Sequence, residues 1–269
     1  MLSSHFAIGI LTAVMTAATV FPASAASLEE IKSRGSIIVG IDFSHPPFAG
    51  VNTKNEQEGS DLETAQLLAK DLGVKLETVN VSGPNRIPFL LSNKVDIVVA
   101  AISITKDRLK VIDISTPYGV IPLNISAPKE DLVKGPADLA GKSIAVASGV
   151  TADIELVRST KDIPGVEIVR YADESTTRTA ILTGQQKYLA STLSDLGEIK
   201  KQKADLDLEL KFTLKTYPMG IGIKKNSPEL LDWTNKWVEA NIQSGKLNDI
   251  FVKWFGQPLP ADMKSFDIN

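Results

Sequence analysis

Ser103, Thr105 and Arg108 stand close together in a stretch whose chemistry suits an anion. A guanidinium offers a planar fork that a carboxylate meets through two parallel hydrogen bonds, and hydroxyls add further donors. Each charge-assisted bond of this kind is worth about 1.5–3 kcal/mol. Just before them Val95, Ile97, Val98 and Val99 form an apolar run with one acid, Asp96. Such a run reads as a strand over residues 95–101, in a sheet covered by helices on both faces. Ligands of open α/β sheets bind past the carboxyl ends of the strands, where these polar residues fall. Plainer readings stay open. Thr105, and less well Ser103, would cap a helix over residues 106–111, and Arg108 would be one more solvated cation beside Lys106 and Lys110.

A second pattern lies at Gly149-Val150-Thr151, which opens a helix reaching about residue 159. The free N–H groups of a helix start attract an anion, and Thr151 adds a hydroxyl; the bland alternative is an ordinary cap. Nothing in the chain makes a catalytic set: there is no Ser-His-Asp arrangement, phosphate loop or cluster of metal ligands. The sequence contains no cysteine, which excludes a disulfide framework, a thiolate metal site and a lipid anchor on a leader cysteine. His45 is the sole histidine beyond the leader, so a histidine metal site is not expected. A net charge of −3 gives no electrostatic footprint for nucleic acid.

The elements that must position these residues are legible in outline. An apolar run from Phe6 to Val20, followed by Ala23 and Ala25 at A-x-A spacing, reads as a secretory leader over residues 1–26. No further segment approaches the roughly 18 apolar residues of a membrane span. The roughly 240 residues beyond the leader suffice for two small lobes or one large domain. Ser27 with Glu30 forms a capping box, and Gly35 stops the short helix between them. Strands follow at residues 36–41 and 74–81, with helices at 61–72 and 84–92. Further strands at 142–147, 166–171, 188–190 and 206–214 alternate with helices at 151–159 and 174–182. A strand at 220–224, a long helix capped by Ser227 and Pro228, and a last helix at 247–255 end the chain. Trp233, Trp237 and Trp254 recur at helical spacing and read as core. The alternation of strand and helix argues parallel sheets.

The stretch NRIPFLLSNKVDIVVAAISITKDRLKVIDISTPY, from Asn85 to Tyr118, resembles almost residue for residue the ligand-binding segment of a known family. That family is the polar amino-acid-binding proteins of bacterial ABC transporters, extracellular solute-binding protein family 3. The tail from Gly220 to Gly256 is similar to the same family. The resemblance implies an α/β clamshell of the type II periplasmic binding fold, each lobe a mostly parallel sheet flanked by helices. Lobe one would comprise residues 27–122 and 218–269, and lobe two residues 123–217. It further implies a free, monomeric periplasmic receptor, without cofactor, that delivers a carboxylated solute to a membrane permease; a sensory receptor is the near variant.

Within that resemblance Ser103 and Arg108 would hold the ligand's carboxylate from one lobe, and Gly149 and Thr151 from the other. Ala101 stands where a further hydroxyl is common, so any contact there would come from backbone. Asp42, His45 and Arg86 would line the ligand, although they also read as a loop cap, an exposed histidine and a surface arginine. The departure is Thr192, which replaces the ammonium-binding Asp that the resemblance implies; Asp195 comes three residues late. Without a substitute acid, the ligand would be an opine or a carboxylate lacking a free amine. Secreted cyclohexadienyl (prephenate or arogenate) dehydratases resemble the same family. Such an enzyme would need a cleft acid of raised pKa among Asp42, Glu174 and Asp195.

Overall fold

A computed structural model describes residues 27–268, so the leader reading falls outside the described residues. Ser27 accepts from the Glu30 N–H while Glu30 reaches back to the cap, which fixes α1 (Leu28–Arg34) and ends it at left-handed Gly35. There follow β1 (Ser36–Ile41), the small ribbon β2 (Gly50–Val51) with β3 (Gln57–Glu58), and α2 (Ser60–Leu72), closed by left-handed Gly73. Next come β4 (Lys75–Asn80), α3 (Arg86–Leu91), β5 (Ile97–Ser103), α4 (Lys106–Val111) and β6 (Ile112–Ile114). The long β7 (Gly119–Pro128) leads to β8 (Ser143–Ala147), α5 (Thr151–Thr160), β9 (Glu167–Tyr171), α6 (Glu174–Leu182), β10 (Tyr188–Thr192) and α7 (Leu193–Gln202). The chain returns through β11 (Leu208–Lys224) to α8 (Pro228–Gln243) and α9 (Lys246–Phe255).

The sheet runs in the order β4-β1-β5-β11-β7-β10-β8-β9, with β6 on β11. Its outer parts are parallel, as alternation predicts: β1 lies beside β4 and β5, and β8 beside β9 and β10. The centre is antiparallel. β11 pairs with β7 from Leu208 to Met219, then with β6 from Gly222 to Lys224, while its other edge holds β5. Two lobes therefore share one pair of long strands. The strands expected at 206–214 and 220–224 are one. β7 offers a partner along the intervening segment, as in the pairs Lys215–Leu123 and Tyr217–Ile121, so the backbone there stays extended and satisfied.

Every residue of β5 is buried, and the period of two explains how. Ile97, Val99 and Ala101 enter one hydrophobic cluster; Val98, Ala100 and Ile102 enter the one on the opposite face. α7 escaped the sequence reading because just two of its apolar residues, Leu196 and Ile199, are buried in a mostly polar segment. Ser227 precedes Pro228 at the start of α8 but makes no side-chain capping bond, a correction to the reading. Trp237 is buried and donates its indole N–H to Asp71 at 2.9 Å, while Trp233 and Trp254 are half-buried. Among the described residues no helix is long and apolar enough to cross a membrane.

Gly220 lets β11 approach β6. A Cβ there would stand 2.6 Å from Ile114 Cγ2 and 2.9 Å from the Ser115 carbonyl oxygen. Gly220→Ala should therefore cost about 1–3 kcal/mol, as overpacking against backbone does. Urea unfolding of the purified variant reads this as a lower midpoint with an unchanged slope.

Candidate functional site

The apolar strand β5 delivers Ser103 to the carboxyl edge of the sheet, 1% exposed. Thr105, not Ser103, caps α4: its side chain accepts from the Arg108 N–H. Arg108 is also buried, and its Nη1 donates to the Ser103 carbonyl at 3.0 Å. Across the cleft, Val150 holds the cap position of α5 with no side-chain bond, which leaves Thr151 free. Its Oγ1 donates to Ser103 Oγ at 2.9 Å, a direct bond between the lobes. Gly149 has φ of 70°, and its N–H is taken by Asp153 at 3.1 Å, so that amide is not open to an anion as the sequence reading allowed.

Ala101 adopts φ of 46°, unusual for a residue with a Cβ. Asp61 holds it there by accepting its N–H at 2.8 Å, and accepts the Tyr118 hydroxyl as well. Burial lifts the Asp61 carboxyl to about 6. On the other side Arg86 donates to the carbonyls of Ala100 and Ala101, while its Nε has no partner. Arg86 is 3% exposed, so it is no surface residue. Two buried guanidiniums thus spend their bonds on neutral carbonyls. Burial, aided by Arg86, lowers Arg108 to about 9. A carboxylate placed between the lobes would relieve that cost.

The opposite pole is acidic. His45 is buried, not exposed, with Nε2 at 3.2 Å from Thr192 Oγ1 and 3.4 Å from Asp195 Oδ2. Its Nδ1 lies 4.0 Å from Glu174 Oε1. Arg178 donates to Asp195 Oδ1 at 2.7 Å and, across the cleft, to the Ser44 carbonyl at 2.9 Å. Thr192 caps α7 and gives its hydroxyl to Asp195 at 2.9 Å. Asp42 accepts from the Ser44 N–H and hydroxyl, the loop cap of the plainer reading, and its Oδ2 has no partner. Burial pulls the His45 pKa down, but Asp195, Glu174 and Asp42 together outweigh it and raise it to about 9. Burial likewise pushes Asp195 up, yet His45 and Arg178 hold it down at about 2. Glu174 is raised, chiefly by burial.

These groups enclose one cavity. His45, Arg86, Ala101 and Ser103 form one wall; Thr151, Glu174, Arg178, Thr192 and Asp195 form the other, above apolar Ile121, Leu123 and Leu189. Arg108 lines an adjoining cavity with Glu155 and Tyr217, and Thr151 lines both. Asp42 and Gly149 do not line the central cavity. Arg178 and the position of Glu174 were missed. Their spacing of four on α6 puts them on one face, and Thr192 with Asp195 is a readable capping pair. Among the described residues no group of three or more acidic, histidine or cysteine side chains is placed to hold a metal.

A sheet of parallel flanks on an antiparallel spine, with polar groups facing each other across a cleft, is a two-lobed binding scaffold. The model of the bacterial extracellular solute-binding proteins, family 3, matches residues 37–257, and the chain belongs to that family. The L-cystine-binding protein TcyJ of Escherichia coli K12 is 28% identical over 85% of this chain and 86% of its own. A mutant arginine-binding protein from T. maritima superposes with TM-score 0.78 at 29% identity, covering 86% of this chain and 99% of that one. An ancestral amino-acid-binding protein, AncCDT-1, described as a precursor of cyclohexadienyl dehydratase, gives TM-score 0.74 at 29% identity, with 85% and 99% covered.

His45 supplies a pH prediction. Its folded pKa, about 9, lies above the 6.5 of the free side chain. The stabilisation is therefore complete below pH 6.5 and is lost as pH rises through 9, on the order of 3 kcal/mol in all. His45→Gln should flatten the decline in unfolding free energy over that window, followed by urea titrations at successive pH values.

Proposed function

We propose that this protein is a periplasmic receptor that captures an amino acid or close derivative between its lobes and presents it to the permease of an ABC transporter. The Ser103–Thr151 hydrogen bond beside buried Arg108 carries this reading. Two hydroxyls from opposite lobes meet at this seam, and a guanidinium lacking a carboxylate lines the adjoining cavity that Thr151 also lines, so that a ligand carboxylate there would bind both walls. Residues 27–122 and 218–269 would act as one lobe and residues 123–217 as the other, turning about β7 and β11. The ligand stabilises the closed form by bonding to both, and the permease reads the closed shape. The receptor would work as a monomer. The relatives named for cystine and arginine support an amino-acid ligand, and AncCDT-1 is itself described as amino-acid-binding. Ligand binding thus has more support than dehydratase chemistry.

The test is a thermal-shift panel on protein unfolded and refolded to strip carried ligand, with the twenty L-amino acids, L-cystine and simple organic acids. A ligand at a thousand times its Kd should add about 4 kcal/mol. Arg108→Ala should weaken the responding compound by roughly a hundredfold or more, because two charge-assisted bonds are lost, while titration calorimetry reports the change. A panel without any shift, or an Arg108→Ala protein of unchanged affinity, would overturn the reading.

A further inference from the structure

Two carboxylates line the central cavity, Asp195 and Glu174, and only one has an oxygen to give. Asp195 is saturated: Oδ1 accepts from Arg178, and Oδ2 accepts from Thr192 and faces His45 Nε2. Glu174 differs. It is 7% exposed, its Oε1 stands 4.0 Å from His45 Nδ1, beyond a hydrogen bond, and its Oε2 has no partner. Nor does local structure require it. Glu174 is the first residue of α6, but the helix is capped by Asp173, whose side chain accepts from the Thr176 N–H at 2.8 Å. A buried carboxylate oxygen without a donor is costly and rare in native proteins. Glu174 is therefore held at the cavity wall for a donor that the fold does not supply.

The rest of the wall says which donor. Arg86 lines the same cavity with its Nε unpartnered, and Ser103 and Thr151 present hydroxyls. The cavity thus has a cationic, hydroxyl-bearing side in Arg86, Ser103 and Thr151. On another side Asp195 is matched by Arg178 and His45 while Glu174 keeps an oxygen open, which fits a zwitterion better than a simple carboxylate. Thr192, also on the wall, has its hydroxyl committed to Asp195. We propose that Glu174 is the receptor for the ligand's ammonium group and sets the preference of this protein for amino acids over their amine-free analogues. The inference rests on the amino-acid-receptor reading above. Opines keep a protonatable secondary amine and satisfy the same chemistry; 2-hydroxy acids do not.

Affinities of the twenty L-amino acids and L-cystine, each beside the matching L-2-hydroxy acid, test this in wild-type protein, Glu174→Gln and Asp42→Asn. Wild type should favour the responding amino acid over its hydroxy acid by roughly tenfold or more, the worth of a charged hydrogen bond. Glu174→Gln should abolish most of that ratio by weakening the amino acid while sparing the hydroxy acid. The isosteric change and a thermal midpoint control for folding. Equal loss of both compounds, or an unchanged ratio, would show Glu174 to act on closure or stability and overturn the proposal. Loss of the ratio in Asp42→Asn but not in Glu174→Gln would transfer the role to Asp42. Binding of both compounds alike by wild type overturns the ammonium site and leaves the receptor standing. No response to any amino acid overturns the receptor reading and this inference with it.

Discussion

The antiparallel ladder between β7 and β11 is the constraint on which the molecule depends. It runs from Leu208 to Met219 on one strand and from Gly119 to Pro128 on the other, so a single pair of strands belongs to both halves of the sheet. β5 is bound to the far part of β11, and β10 to β7 at Leu123–Ser126. That arrangement brings Ser103, at the end of β5, to within a hydrogen bond of Thr151 on the opposite lobe. The cleft exists because two parallel flanks grow outward from one shared spine.

Electrostatics give the cleft its character. Buried charges are tolerated where they are paired or hydrogen-bonded. On the acidic side the pairing is nearly complete: His45, Arg178, Thr192 and Asp195 satisfy each other across the cleft. The same contacts that hold Asp195 low hold His45 high, a single interaction seen from its two partners. On the basic side Arg86 and Arg108 find carbonyl oxygens only. Such an asymmetry stores unfulfilled bonding capacity at the place where the two walls meet. On the proposed reading, a ligand that supplies both charges would gain from both walls.

Asp61 shows how far the support of the site extends into the core. Its carboxylate holds the left-handed backbone of Ala101, a residue of β5 that lines the cavity. Backbone held in a sparsely populated region persists where its surroundings over-determine it, and such places concentrate at binding sites. A carboxylate 1% exposed on α2 is thus part of the geometry of a cleft it does not line.

The sequence alone determined many of the elements, because helix caps, stop glycines and the apolar run of β5 act through neighbours along the chain. The box at Ser27, the left-handed Gly35 and Gly73, and the alternation that predicts parallel flanks are local facts of this kind. The hydroxyls and guanidinium of Ser103, Arg108 and Thr151 were legible as residue types, and the fold brings Ser103 into hydrogen bonds with both of the others. The unity of β11 was not. Whether a polar segment such as Lys215–Tyr217 links two strands or continues one depends on a partner strand almost a hundred residues away, beyond any local signal. The acidic pole was decided by tertiary structure too. Asp195 and His45, far apart in sequence, meet only through the tertiary fold, and Glu174 stands out as the cavity-lining carboxylate with an oxygen to spare only once every donor near it has been assigned. Residue types fix what chemistry is available, whereas burial and pairing, which depend on the whole fold, fix which of it remains free.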